Sequence, residues 1–155
     1  MLQVSTRPRA LTLLTLLLLG ALVPAAAAQT PAKDKDAPPF HEYKGVRIGM
    51  TAGEARKLLG TPAEKDDKQD VYMFGEAESC QVYYDETKKV SAVSITYFGG
   101  KAIPTAKAVL GDEPEARQDG SLYKLIRYPK AGFWVSYTRT SGSEPMTIIA
   151  IQKMQ

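Results

Sequence analysis

The chain contains one histidine, His41, and one cysteine, Cys80, so its inventory for nucleophilic, acid–base or metal chemistry is short. A histidine acting as a general base needs a neighbour that fixes its tautomer and orientation, and the sequence around His41 offers no evident one. Zinc needs several Cys or His ligands at close spacing, and one of each far apart does not supply them. Carboxylates cluster at Asp66-Asp67, Glu76/Glu78 and Asp85-Glu86, without the regular spacing around a glycine turn that calcium requires. A phosphate-cradling glycine loop and a Gly-x-Ser-x-Gly elbow are both missing. The expectation is a protein with no catalytic residues, no metal site and no cofactor. A small hydrolase using His41 with a nearby carboxylate is the enzymatic alternative.

Binding chemistry is better represented. Side chains alternate across a strand, so Cys80, Val82 and Tyr84 point one way and Tyr83 points the other. Assigned strand by strand, the face opposite Cys80 carries Met73, Tyr83, Thr96, Lys124, Ile126, Trp134 and Ser136. Tyr, Trp and Met are enriched at the centres of protein interfaces, whereas Lys and the acids are depleted. This set is the expected protein-docking surface. Coverage by the N-terminal segment or by a second copy is the plainer alternative, and a register slip of one residue would invert the assignment. Cys80, on the opposite parity, is expected to be a small buried core residue, with an intermolecular thiol as the alternative.

The elements that must position these residues can be read from punctuation and period. Thr51-Ala52-Gly53-Glu54 is a capping box that opens a helix, and Gly60 with Pro62 closes it. Pro104 suits the first turn of a second helix that Gly111 ends. Each helix has only about two turns, too few to persist without a sheet beneath. Period-two alternation and β-branched or aromatic enrichment predict strands at 70–74, 80–85, 90–97, 122–128, 132–138 and 146–152. Polar connections at Glu86–Lys89 and Ser141–Ser143 predict antiparallel hairpins.

The same order of elements occurs twice. Ala55–Gly60 aligns with Ala106–Gly111, Tyr72 with Tyr123, and Val82 and Tyr84 with Val135 and Tyr137. Val90, Ala92, Val93 and Ile95 then align with Met146, Ile148, Ile149 and Ile151. The expected fold is α+β: two tandem helix-plus-three-strand units, 43–99 and 100–155, forming one antiparallel sheet with the short helices on one face.

Ahead of this domain, Arg7 and Arg9 precede an apolar stretch from Leu11 to Val23, then Pro24 and Ala25–Ala28. A basic start, a short apolar core and an Ala-x-Ala site are the parts of a secretory signal peptide, expected here over 1–28. The apolar stretch falls short of the roughly 20 residues a spanning helix needs. Residues 29–42, rich in Pro, Lys and Asp, are expected to be a flexible charged tether. With Arg7 and Arg9 removed, 18 basic residues stand against 17 acidic ones, a balance that gives no footprint for nucleic acid. The expected product is periplasmic or secreted, with neither membrane insertion nor a lipid anchor, since Cys80 does not follow the cleavage site.

The segment Gly45-Val46-Arg47-Ile48-Gly49-Met50-Thr51, followed by Leu58-Leu59-Gly60-Thr61-Pro62, resembles the opening of the SmpA/OmlA (BamE-like) family. The tandem arrangement is similar to the β-lactamase-inhibitor-protein-like branch of that superfold, whose curved sheet grips a partner protein. The outer-membrane assembly member of the family would carry a lipidated cysteine and a single unit, and this sequence departs from both. The resemblance implies a bacterial, exported, non-enzymatic protein-binding module in outer-membrane or envelope assembly or maintenance. A secreted or periplasmic inhibitor of an enzyme, acting through the same face, is the alternative.

Overall fold

The computed structural model describes residues 37–99 and 103–155. The expected signal peptide and most of the expected tether therefore lie outside the described residues. All the described residues fall within one unit, Lys33–Gln155.

Helix α1, Ala52–Leu59, starts at the capping box the sequence predicts. The Thr51 hydroxyl accepts from the Glu54 amide at 3.3 Å, and the Glu54 carboxylate accepts from the Thr51 amide at 2.8 Å. Two of the otherwise orphaned amides of the first turn are thereby satisfied. At the other end Gly60 has φ 85° and ψ −151°, a conformation open to glycine and costly for residues with a Cβ. Replacing Thr51 by alanine is expected to cost about 1 kcal/mol of stability; a urea midpoint indistinguishable from the parent would contradict that role. Helix α2, Ala106–Leu110, is shorter, capped by Thr105 at its start and by Gly111 in the left-handed region at its end. Pro104 thus sits one residue before the cap, outside the first turn where the sequence placed it.

Among the described residues seven strands form one antiparallel sheet: β1 (Glu64–Lys65), β2 (Gln69–Met73), β3 (Glu78–Tyr84), β4 (Val90–Tyr97), β5 (Leu122–Tyr128), β6 (Phe133–Arg139) and β7 (Thr147–Lys153). Their spatial order is β1-β2-β3-β4-β7-β6-β5. The two-residue β1, paired to β2, is an addition to the six predicted strands. Sheet and helices together make an α+β fold.

One face of the sheet is covered. Cys80, Val82 and Tyr84 of β3 join Val93 and Ile95 of β4, Ile149 and Ile151 of β7, and Val135 and Tyr137 of β6 in a single buried cluster. Ala55 and Leu59 of α1 and Ala106, Val109 and Leu110 of α2 complete it from above. Each helix buries one apolar side against the sheet, which is where helices this short find their stability, while Leu58 of α1 stays half exposed. A bulge keeps β4 in phase with this core. Tyr83 pairs with Ala92 but Tyr84 with Val90, leaving Ser91 as the extra residue. Val90 and Val93, at a spacing that an unbroken strand would send to opposite faces, are thereby both buried.

The sequence treats residues up to 42 as free tether, and the structure shortens that segment. Phe40 packs against the core, and Pro39 lies close to Gly111 at the end of α2. Tyr43 is buried, and its hydroxyl donates to the Glu78 carboxylate.

Candidate functional site

The pairing registers fix which side chains share the uncovered face. Across β5, β6, β7, β4, β3 and β2 one row reads Arg127, Trp134, Gln152, Ala92, Tyr83, Gln69. The next reads Leu125, Ser136, Ala150, Ser94, Gln81, Val71, and the third Tyr123, Thr138, Ile148, Thr96, Ser79, Met73. A solvent-facing side of an antiparallel sheet ordinarily alternates into charged and polar residues. Here two charges, Glu64 paired with Val71 on β1 and Arg127 on β5, stand on the two outermost strands, and between them lie neutral hydroxyls, amides, methyls and aromatic rings. Met73 is 54% exposed and Tyr123 47%, so apolar surface is held open to solvent at both flanks.

Side-chain size varies across the face in a regular way. The central strands β4 and β7 carry Ala92, Ser94 and Ala150, while Tyr83 and Trp134 stand on either side. On the Tyr83 side of these strands opens a cup of about 750 Å³, lined by Tyr83, Ala92, Ser94, Ala150 and Gln152 together with the charged Asp85, Glu86 and Lys153; Trp134 stands outside it. The Tyr83 hydroxyl donates to the Gln81 side chain, which ties the ring to its own strand. At the mouth, the Lys153 ammonium lies 3.4 Å from the Asp85 carboxylate. Asp85 also accepts from Thr87 and Lys89, with the Thr87 hydroxyl the largest of the influences that hold its carboxyl down at about 2.

Five of the seven residues assigned to this face from the sequence are together on it: Met73, Tyr83, Thr96, Trp134 and Ser136. Ser136 is nonetheless buried, a small side chain beside Leu125 and Ala150. Lys124 and Ile126 are corrections. Lys124 pairs with Tyr137 and Ile126 with Val135, so both point to the covered side. Ile126 packs against the core, and the Lys124 ammonium donates to the Asp112 carboxylate just beyond α2. Their places on the open face are taken by Tyr123, Leu125 and Arg127. The sequence signal that misplaced them was the match of Tyr72 with Tyr123. Tyr128 is the residue that sits as Tyr72 does, each buried beside the strand carrying Val82 or Val135.

Other singled-out residues are dispersed. His41 is exposed, its Nε2 4.0 Å from a Glu42 carboxylate that also accepts from Arg47 at 2.8 Å. Asp66, Asp67 and Glu86 are exposed around the β1–β2 and β3–β4 turns, where Lys88 lies 3.1 Å from Asp67. Among the described residues no group of three or more His, Cys, Asp or Glu side chains is placed to hold a metal ion. None of the described helices is long and apolar enough to cross a membrane.

Cys80 is fully buried, and burial, reinforced by the Glu78 charge, pushes its thiol up to about 12. A thiol that far from ionising is a poor nucleophile. Iodoacetamide at pH 8 is expected to leave the folded protein unlabelled by mass spectrometry and to label it fully in denaturant. Labelling of the folded protein at the rate of a free thiol would mean that β3 opens readily.

The sequence offered no signal for one buried group. Asp70 on β2 has no exposed surface and accepts two bonds from the Arg56 guanidinium of α1, at 2.8 and 3.0 Å. The Tyr84 hydroxyl donates to the same carboxylate at 2.6 Å and that of Tyr72 at 3.3 Å. Burial alone would raise the Asp70 carboxyl, but the bonds from Arg56 and Tyr84 outweigh it and hold the group below the usual carboxylate range. Tyr72 is pushed up to about 12 by burial and by the Asp70 charge, so its hydroxyl stays a donor.

Neither a protein-family model nor a curated protein sequence matches the chain. Among solved structures, it is similar to a DUF4309 family protein, YjgB, from Bacillus subtilis subsp. subtilis strain 168. Identity is 13% and the TM-score 0.46, with 72% of this chain and 84% of that one covered. A likeness of that degree carries no argument about what either protein does.

Proposed function

We propose that the protein is an exported, non-enzymatic binding module of the bacterial cell envelope that holds another protein on the open face of its sheet. The observation that carries this reading is the absence of charge from β2, β3, β4, β7 and β6 across three rows of that face, where Tyr83 and Trp134 stand among neutral side chains. Aromatic anchors around a desolvatable, uncharged centre are the usual composition of an interface core. Apolar surface gathered on one face is costly to leave in water and marks a site of association. The signal-like start of the sequence supports export, and the resemblance of residues 45–62 to the SmpA/OmlA family supports a role in envelope assembly or maintenance.

The chain on this reading is built from two tandem helix-plus-three-strand units. The mirrored strand order on either side of the β4–β7 seam supports it, as does the recurrence of a Thr-capped, Gly-terminated helix ahead of each half. The partner binds by shape and burial, without cofactor, nucleic acid or lipid anchor.

The experiment is affinity capture from envelope extract, comparing the parent with a Tyr83→Ala, Trp134→Ala variant whose melting curve shows it folded. A protein retained by the parent and lost by the variant supports the docking face. Equal recovery by both removes it.

A further inference from the structure

We infer that a groove between α1 and the edge strand β1 is an oxyanion site that receives the phosphate of a phosphomonoester. It lies on the helix-covered side of the sheet and is independent of the docking face. Residues three and four apart share one side of a helix. On one such side, α1 and its cap carry Gly53, Arg56, Lys57 and Gly60, which form one wall of a cavity of about 500 Å³. Thr61, Pro62 and Lys65 form the other wall. Lys65 stands opposite the buried Asp70 in the β1–β2 pairing, which turns it to the helix side.

Every charged side chain in this lining is a cation. The carboxylates close by in sequence are engaged elsewhere. Glu54 accepts from the Thr51 amide and hydroxyl at the start of α1. Glu64 shares the open face with Val71, and Asp66 accepts from the Lys68 and Gln69 amides. Asp70 holds Arg56 from beneath but engages only two of the three guanidinium nitrogens. Neither Lys57 nor Lys65 makes an ion pair among the described residues. Three cations against the one Asp70 carboxylate leave a surplus of two positive charges. A phosphomonoester carries about −1.5 to −2 near neutral pH and matches that surplus, whereas a carboxylate carries a single charge.

The helix dipole accounts for Arg56 and Lys57 in the last turn of α1. It does not account for Lys65, which comes from another element, or for Gly53. Glycine within a helix is destabilising. Gly53 has no left-handed φ, and a Cβ added there would meet no atom within 4 Å. No packing contact excludes a side chain at this position; a ligand resting against the backbone does.

The test titrates the exported chain with glycerol 3-phosphate by calorimetry. In parallel, it measures sedimentation with phosphatidylcholine vesicles with and without phosphatidic acid, whose headgroup is the same monoester. The expected result is saturable binding of glycerol 3-phosphate that acetate does not reproduce and that weakens in about 0.5 M salt. Lys57→Gln combined with Lys65→Gln should weaken it at least about tenfold. Gly53→Leu fills the groove while favouring the helix, so it should lose binding to the same degree with a urea midpoint no lower than the parent's. Lys107→Gln on α2 removes a charge outside the groove and should change affinity less than about twofold.

Sedimentation with the phosphatidic acid vesicles, lost in the same variants, extends the site to a lipid headgroup; its absence confines the site to a soluble ester. No binding of glycerol 3-phosphate, acetate bound as tightly, binding retained by either groove variant, or an equal loss in Lys107→Gln would overturn the site.

Discussion

Replacing Asp70 by asparagine is expected to cost about 3 kcal/mol of stability near neutral pH, the low end for removing one partner of a buried ion pair. The pair joins α1 to the sheet: Arg56 reaches from the helix with two nitrogens, and Asp70 answers from beneath it with both oxygens. The amide side chain keeps the volume and one acceptor but leaves a guanidinium that is only 28% exposed without its counter-charge. It also gives the Tyr84 and Tyr72 hydroxyls a weaker acceptor. Domains of this size are stable by only about 5–15 kcal/mol, so the loss is a large share. The predicted readout is a lower urea midpoint with unchanged slope.

The sign of the pH dependence follows from the lowered Asp70 carboxyl. A group whose folded pKa lies below its unfolded value stabilises the fold above the unfolded value, near 4, and loses that contribution as pH falls through the folded one. The gap between parent and variant is therefore expected to be full at pH 7 and to narrow progressively below about pH 4. A gap that stays constant down to pH 2 would show that the ionised carboxylate is not what holds α1. Converting the pair together, as Arg56→Met with Asp70→Leu, is expected to recover much of the loss, because neither charge is then left alone.

The second large effect is on binding. Once the partner is identified by capture, Tyr83→Ala with Trp134→Ala is expected to weaken it by 100-fold or more, since aromatic anchors at an interface centre contribute about 2 kcal/mol or more each. The same double change should leave the melting temperature within a few degrees of the parent. Both side chains stand on the open face, away from the core that α1 and α2 close. Calorimetric titration that finds less than a fivefold change would place the partner elsewhere on the molecule. Lys124→Ala is the internal control. Its ammonium points to the covered side and bonds Asp112, so partner affinity should stay unchanged.

Signals confined to a few neighbouring residues were enough for much of the architecture. The capping box at Thr51 and Glu54, the glycine stops at Gly60 and Gly111, and strand β4 over Val90–Tyr97 and β5 over Leu122–Tyr128 all follow from local chemistry. Caps, turns and side-chain period act over three or four residues, and so can be read without knowing what lies across the sheet. The core side of β3 was legible for the same reason, because Cys80, Val82 and Tyr84 mark it within a single strand.

What the tertiary structure alone decided is which side each strand turns toward its neighbours, and which polar group goes under a helix. The sequence of β5, Leu-Tyr-Lys-Leu-Ile-Arg-Tyr, has apolar residues on both parities, so its hydrophobic pattern does not choose a face. Pairing with β6 chooses it, and sends Lys124 and Ile126 inward and Tyr123, Leu125 and Arg127 outward. The Ser91 bulge likewise exists only as a mismatch between β3 and β4. Asp70 reads as a charged residue at a strand start and becomes fully buried because Arg56, fourteen residues earlier, and Tyr84, fourteen later, converge on it. Period and caps are properties of one segment; register and charge pairing are properties of two segments in contact, and only the folded chain brings those together.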